Sequence, residues 1–405
     1  MTMYDALVVG GGPAGSTAAL ALARRGWRVA LVEKSRFPRR KVCGEYVAAG
    51  AWPVLRALGV AARLESRAGP AVRRVGFFAR DARLDVPMPS SGEAWGRAVA
   101  RETLDATLLD DAARAGVEVL QPWAAAATRV DADGVRLVAR NGDEERELRA
   151  PLLVAAHGSW EHGALPTQSP RAVRRGADLL AFKARFVGAR LAEGLMPLVL
   201  FPGGYGGLVE SEGGHVTFSC CIRRETLARL RAARPGGSAG EATLAHAMAS
   251  CGALREVLAA AWREGPWLAA GPIRPGIRVR APERFFAVGN AAGEAHPLVA
   301  EGIGMAIQSA WLLAQALRDP ATAHDPATLR SAAREYERRW SAHFASRVRA
   351  SRLIAAATGS ALHASTALVA VAPRVLAWGA RWSGKAAPTA AVERPNRAAT
   401  VEHVN

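Results

Sequence analysis

Along the first 33 residues two short, continuous apolar runs, ALVV and VALV, flank a small-residue stretch, GGGPAGSTAALALA. Apolar runs of this length bounded by glycine predict buried parallel strands, and the alanine- and leucine-rich stretch between them predicts a helix. The second strand ends on Glu33. A loop, SRFPRRKVCGE, leads to an amphipathic helix over 48–58, and residues 72–86 alternate with the period of paired strands. In RETLDATLLDDAARAG, which Arg101 opens, Leu104, Leu108, Leu109 and Ala112 fall at helical spacing, and Gly116 ends the helix. Short strands follow over 117–150, with turns at Asp133-Gly134 and Asn141-Gly142. A buried run over 151–156 delivers the chain to His157-Gly158-Ser159.

From Leu179 to Arg223 the pattern becomes one of alternating strands, LLAFKARF, LMPLVLF, GYGGLVE and HVTFSCCI, which predicts an antiparallel sheet. Helices are expected over 225–261, interrupted at Pro235-Gly236-Gly237. Phe285 to Val288 predicts a short strand, and Gly302 to Leu317 a long helix. From Pro326 the chain reads as helical until a polar tail after Lys385. A strand block lying between two α/β blocks makes the first domain discontinuous.

The opening turn carries the first candidate chemistry. In Gly10-x-Gly12-x-x-Gly15, Gly10 permits the tight turn, Gly12 lets a pyrophosphate approach, and Gly15 lets helix and strand pack closely. Pro13 and Ala14 open the helix, whose N-terminus offers N–H groups to an anion. Glu33, at the tip of the next strand, would accept hydrogen bonds from an adenosine ribose. Spacing, flanking strands and acidic residue together point to a dinucleotide. The second informative stretch, FFAVGNAAGEAHPLVAEGIGMAIQSAWLLAQAL, turns at Gly289-Asn290 and opens a helix at Glu301-Gly302-Ile303-Gly304. A helix N-terminus aimed at a ring stabilises the negative charge that a flavin gains on reduction.

Composition narrows the reading without redirecting it. Half of the 405 residues are hydrophobic, as expected of a globular chain long enough for two domains. The net charge of +17 comes from dispersed arginine, with lysine only at Lys34, Lys41, Lys183 and Lys385. This is a coding bias rather than a basic patch, so no nucleic-acid partner is expected. Cys43, Cys220, Cys221 and Cys251 form no CxxC pair and have no histidine at metal-ligand spacing, so neither a metal nor a disulfide framework is expected. A reduced cytoplasmic setting fits, and no signal-peptide pattern precedes the first strand. Leu353 to Ala372 lacks formal charge but is mostly alanine, serine and threonine, closed by Pro373. It reads as soluble packed helices, or as a segment making peripheral contact with a lipid surface, rather than as a span.

Five segments in order, Gly10 to Gly15, Pro38 to Glu45, Arg101, His157-Gly158 and Gly289 to Gly304, resemble the FAD-dependent monooxygenases and dehydrogenases built like p-hydroxybenzoate hydroxylase. Within that family they are similar to the branch of geranylgeranyl reductases and flavin halogenases. The resemblance implies an α/β fold. A discontinuous Rossmann-like FAD-binding domain (1–75, 96–178 and 270–325) would receive an inserted antiparallel-sheet substrate domain (76–95 and 179–269), and a helical region (326–405) would follow. It implies that Glu33 and Lys34 meet the adenosine end, Arg39 and Arg101 the phosphates, and Asn290 the ribityl chain or pyrophosphate. Pro297 would pack by the ring, Gly302, Ile303 and Gly304 would cap it, and Cys43, Gly44 and Glu45 would lie at its face. Asn290 and His157 stand where the family carries aspartate. The family ties the position of His157 to both FAD and NAD(P)H handling, so this departure counts against NAD(P)H, the candidate electron donor, reducing the flavin directly, and the halogenase WxWxIP signature is absent.

Three residues are candidates for chemistry beyond the flavin. Glu45 is either a proton-transfer group or a loop-capping carboxylate. His296 is either an acid–base group or a structural imidazole. Tyr205 either bonds substrate or packs. Cys43 is expected to be inert, and Arg278 and Arg280 to form a solvated face. The preferred activity is monooxygenation, hydroxylating or epoxidising a small hydrophobic aromatic or polyketide-like intermediate of secondary metabolism, including antibiotic biosynthesis. The alternatives are a geranylgeranyl reductase-like dehydrogenase or ene-reductase and a non-catalytic flavin-binding module.

Overall fold

The computed structural model describes residues 4–159, 163, 165–168, 173–233 and 236–361. The apolar runs form a five-stranded, all-parallel sheet in the order Phe285–Ala287, Leu152–Ala155, Ala6–Val9, Val29–Val32 and Glu118–Leu120. Its three central strands are buried on both faces, which is why they read as continuous rather than alternating apolar sequence. Helices Pro13–Ala23, Arg101–Arg114 and Gly302–Leu317 belong to the core against the sheet, and the last is buried at every residue from Ile303 to Ala314. A three-stranded meander, Ala124–Asp131, Gly134–Asn141 and Glu144–Ala150, carries the two expected turns.

The second sheet has seven strands, ordered Trp262–Ile273, Leu179–Val187, Val216–Arg223, Gly204–Glu210, Leu195–Phe201, Arg74–Ala79 and Ala82–Pro87. Two features correct the sequence reading. Leu195–Phe201 pairs in parallel with Arg74–Ala79, so the sheet is mixed. The partner strand arrives from more than 100 residues upstream, and no hairpin constrains its direction. Trp262–Ile273 is a twelve-residue edge strand in a stretch that shows no strand pattern. Gly265-Pro266 and Gly271-Pro272 break its alternation, and its pairing with Leu179–Val187 shifts register twice. Proline is tolerated there because the outer side of an edge strand needs no ladder donor.

Helices Pro326–Trp340 and Ser346–Ala361 brace the late glycine segment. The Tyr336 hydroxyl donates to the Ala287 carbonyl at 2.6 Å, and the Trp340 ring packs where a Cβ on Gly293 would sit. The His296 N–H donates to the buried Ser351 hydroxyl at 2.9 Å. Most of the segment considered for lipid contact, along with Trp160, Pro235 and the polar tail, lies outside the described residues. Among the described residues no helix is long and apolar enough to cross a membrane.

Candidate functional site

The opening turn is built by steric necessity. Gly10 has φ +107°, and a Cβ there would lie 2.5 Å from the Ala156 carbonyl oxygen. A Cβ on Gly15 would lie 1.8 Å from the Gly10 carbonyl oxygen. Backbone would have to move in either case. Gly12 is the extended N-cap and Pro13 the first residue of the helix, where its missing N–H costs nothing. Glu33 accepts from the N–H groups of Gly11 at 2.7 Å and Ser35 at 2.8 Å, which fixes the carboxylate beside the turn. Arg39 stands 3.5 Å from Glu33. Buried Arg101 is held in two-point contact by Asp105, at 2.8 and 2.6 Å. Burial works against its charge, but Asp105 and Cys43 raise its pKa further.

In the late motif, Gly289 takes φ +58° and packs on the first helix, where a Cβ would lie 2.7 Å from that of Ala14. The two motifs, almost 280 residues apart in sequence, are therefore in direct contact. Asn290 donates to Glu294 at 3.3 Å, and its carbonyl accepts from Arg278 at 2.9 Å. Arg278 is thus half-buried and tied to the motif instead of forming a solvated face. Ala300 turns the chain in the left-handed region, φ +51°, into the Gly302–Leu317 helix.

A cavity of about 600 Å³ runs past both motifs. Its lining includes Gly10, Gly12, Pro13, Ala14, Glu33, Lys34, Arg39 and Arg101 from the first part of the chain, Asn290, His296, Pro297, Gly302 and Ile303 from the late segment, and Cys43, Gly44, Glu45 and Tyr205. Gly15, Gly289 and Gly304 stand behind the wall and serve close packing; a Cβ on Gly304 would meet that of Ala48 at 3.3 Å. The residues fit an extended dinucleotide: two helix N-termini open on one continuous cavity, and the Glu33 carboxylate lines it beside the opening turn.

Glu45 has φ +60°, an uncommon conformation for a side chain larger than glycine, and is completely buried. Its carboxylate accepts from Lys183, from the Thr217 hydroxyl at 2.6 Å and from the Arg101 N–H at 2.9 Å. Burial alone would raise its pKa. Lys183 and the two other donors outweigh it and hold the carboxyl below the usual range. A carboxylate so paired joins the cofactor loop to the second sheet. The Ser219 hydroxyl adds a hydrogen bond to the Cys43 carbonyl at 2.8 Å. Sequence reasoning missed Lys183, Thr217, Ser219 and Asp105. One signal was available: Lys183 is the only lysine in the strand block, and it sits inside an apolar strand.

The Tyr205 and His296 rings are tilted by 39° to each other, with the hydroxyl 3.4 Å from Nδ1 and ring centroids 5.3 Å apart. Burial raises the phenol far above its ordinary value, aided by Cys221 and Glu294, and lowers the imidazole from 6.5 to about 4. Both are neutral at pH 7. The unfolded chain binds a proton at this histidine below about 6.5, whereas the fold resists it until about 4, so the residue weakens folding as pH falls through that window. The His296 Cε1 proton is expected to titrate in an NMR series with a midpoint below 5; a midpoint at or above 6.5 would contradict its burial. His157, at the departed motif, meets Thr167 at 2.9 Å and lines the same cavity.

Residues 3–170 match the family model described as FAD binding domain. The menaquinone reductase of Mycolicibacterium smegmatis is 34% identical over 158 residues, 39% of this chain and 38% of that protein. The chain therefore spans under two-fifths of this curated relative's length in the match. Among solved structures, the myxobacterial chondrochloren halogenase superimposes with a TM-score of 0.72 at 23% identity, covering 84% of this chain and 79% of its own. PqsL of Pseudomonas aeruginosa, described as a probable FAD-dependent monooxygenase, gives 0.67 at 20% identity, covering 94% of this chain and all of its own. These likenesses bear out the fold and FAD as the cofactor.

Proposed function

We propose that the protein is an FAD-dependent monooxygenase acting on a small hydrophobic aromatic or polyketide-like molecule. The observation that carries this reading is the continuity of the FAD groove with an apolar chamber on the second sheet, walled by Val75, Phe77, Met196, Leu198, Tyr205 and Val209. Bound there, FAD would supply the redox and oxygen-activating chemistry of such a reaction. The chain's own residues do the rest. Glu33 holds the ribose, while Arg39, Arg101 and the Gly12 to Ala14 turn hold the phosphates. Asn290 would meet the ribityl region, and the N–H groups of Gly302 and Ile303 would stabilise the charge that develops at the ring edge. Apolar walls exclude the water that would quench a reactive oxygen species. Neutral Tyr205, backed by neutral His296, donates or accepts a hydrogen bond at the substrate without introducing a charge. Glu45 acts as a positioning residue: its carboxylate is committed to Lys183, Thr217 and Arg101 and has no proton to give.

Similarity to a menaquinone reductase favours a second reading, reduction of a lipophilic ring or alkene, with Tyr205 as proton donor. Incorporation of labelled oxygen separates the two. Holoenzyme reduced by NADPH or by light and mixed with ¹⁸O₂ and 1-naphthol is expected to give a product carrying one ¹⁸O atom. Anaerobic two-electron reduction of added menadione by the NADPH-reduced holoenzyme, with no labelled naphthol product in air, would favour the reductase.

A further inference from the structure

We infer that Gly207 is a specificity-determining residue: it leaves a notch in the chamber floor in which an aromatic ring of the substrate lies flat against bare backbone. The inference deepens the proposed function by naming how its substrate is seated. Strand registers place Phe77, Leu198, Gly207, Ser219 and Lys183 side by side across five strands. Because side chains alternate along a strand, Tyr205 and Val209 share the face of Gly207, and both line the cavity. Gly207 is thus a gap in the middle of an otherwise filled floor.

Neither packing nor backbone conformation accounts for that gap. On the same strand, a Cβ on Gly204 would lie 2.3 Å from the Phe201 ring, and one on Gly206 2.7 Å from the Phe218 ring. Those two glycines are required by the core beneath. A Cβ on Gly207 would meet only the Pro197 carbonyl oxygen at 3.4 Å, an ordinary contact, and its φ lies outside the left-handed region. Glycine inside a strand forgoes side-chain packing and costs conformational entropy, so its presence here marks a close approach by something else. The notch is walled by Leu198, Tyr205 and Val209, which offer apolar and aromatic edges around a flat peptide surface. That shape suits a planar ring, which gains most from lying face-on. A flexible isoprenoid chain has no need of bare backbone.

Calorimetric titration of the FAD-loaded protein with 2-naphthol and with geraniol, an apolar chain with the same number of carbons, tests the assignment. In Gly207→Leu the affinity for 2-naphthol is expected to fall at least about tenfold, in Gly207→Ala about two- to threefold, and that for geraniol less than threefold in both. FAD content is expected to stay at the wild-type level, because the notch lies on the sheet and outside the two motifs. Equal loss of both probes, undiminished naphthol binding by Gly207→Leu, or no naphthol binding by wild type would each overturn the inference. If Gly207→Leu loses FAD, the ratio of the two probes in Gly207→Ala decides the matter. Binding is read without turnover, so this result is independent of whether labelled oxygen enters a product.

Discussion

Gly15→Ala is expected to bind FAD at least about 100-fold more weakly than wild type, a loss of about 2.7 kcal/mol. The added methyl would lie 1.8 Å from the Gly10 carbonyl oxygen, and a backbone atom cannot swing aside as a side-chain tip can. Relief requires the first helix to lift from the strand that precedes it, carrying away the N–H groups of the turn. Gly302→Ala separates this effect from direct contact with the cofactor, because a Cβ there meets no protein atom within 4 Å and points from a cavity-lining residue. That variant is expected to keep its melting temperature while losing FAD affinity. Fluorescence quenching of titrated FAD and thermal denaturation of the apoprotein measure the two quantities. Wild-type affinity in Gly15→Ala would show that the turn does not hold the cofactor.

Lys183→Met carries the second large effect. It leaves the Glu45 carboxylate fully buried without its cation, and breaking such a pair costs about 3–5 kcal/mol. The pH dependence is expected to change sign. In wild type the carboxyl sits below its ordinary value of 4.5, so the pair's stabilisation is present above that pH and fades as pH falls through the depressed folded value. Without Lys183, burial dominates and the folded value rises, so this residue's contribution is favourable at low pH and is lost as pH climbs above 4.5. Lys183→Met with Glu45→Gln removes both charges and keeps an acceptor for Thr217 and Arg101, and it is expected to recover most of the loss. Denaturant midpoints at pH 5 and pH 8 check all three proteins; equal midpoints for Lys183→Met and wild type at pH 8 would mean the pair is solvated. Because the pair joins the Cys43 to Glu45 loop to the sheet, FAD dissociation is expected to speed up in the single variant and return toward wild type in the double.

What was legible in the chain was local. The Gly10 to Gly15 turn, the strand ending on Glu33 and the helix Gly302–Leu317 each depend on residues within a few turns of one another, and spacing alone encodes them. What escaped was set by partners far apart. Lys183 and Glu45 are separated by 138 residues, and no periodicity connects them. The Trp262–Ile273 strand is held at an edge by its neighbour in spite of its own glycines and prolines. Ser351 reaches His296 from a stretch that the sequence marked only as helical. Gly207 looked like its neighbours Gly204 and Gly206 until the sheet showed which face each one serves.

On the proposed reading, FAD lies extended along the one groove that both glycine motifs line. A crystal structure of the FAD-loaded protein tests it most directly. The adenosine ribose is expected within hydrogen-bond distance of Glu33 and the flavin ring edge at the N–H groups of Gly302 and Ile303, with Gly207 open beneath the substrate side. FAD bound with its ring away from Gly302, or bound outside the groove, would contradict it.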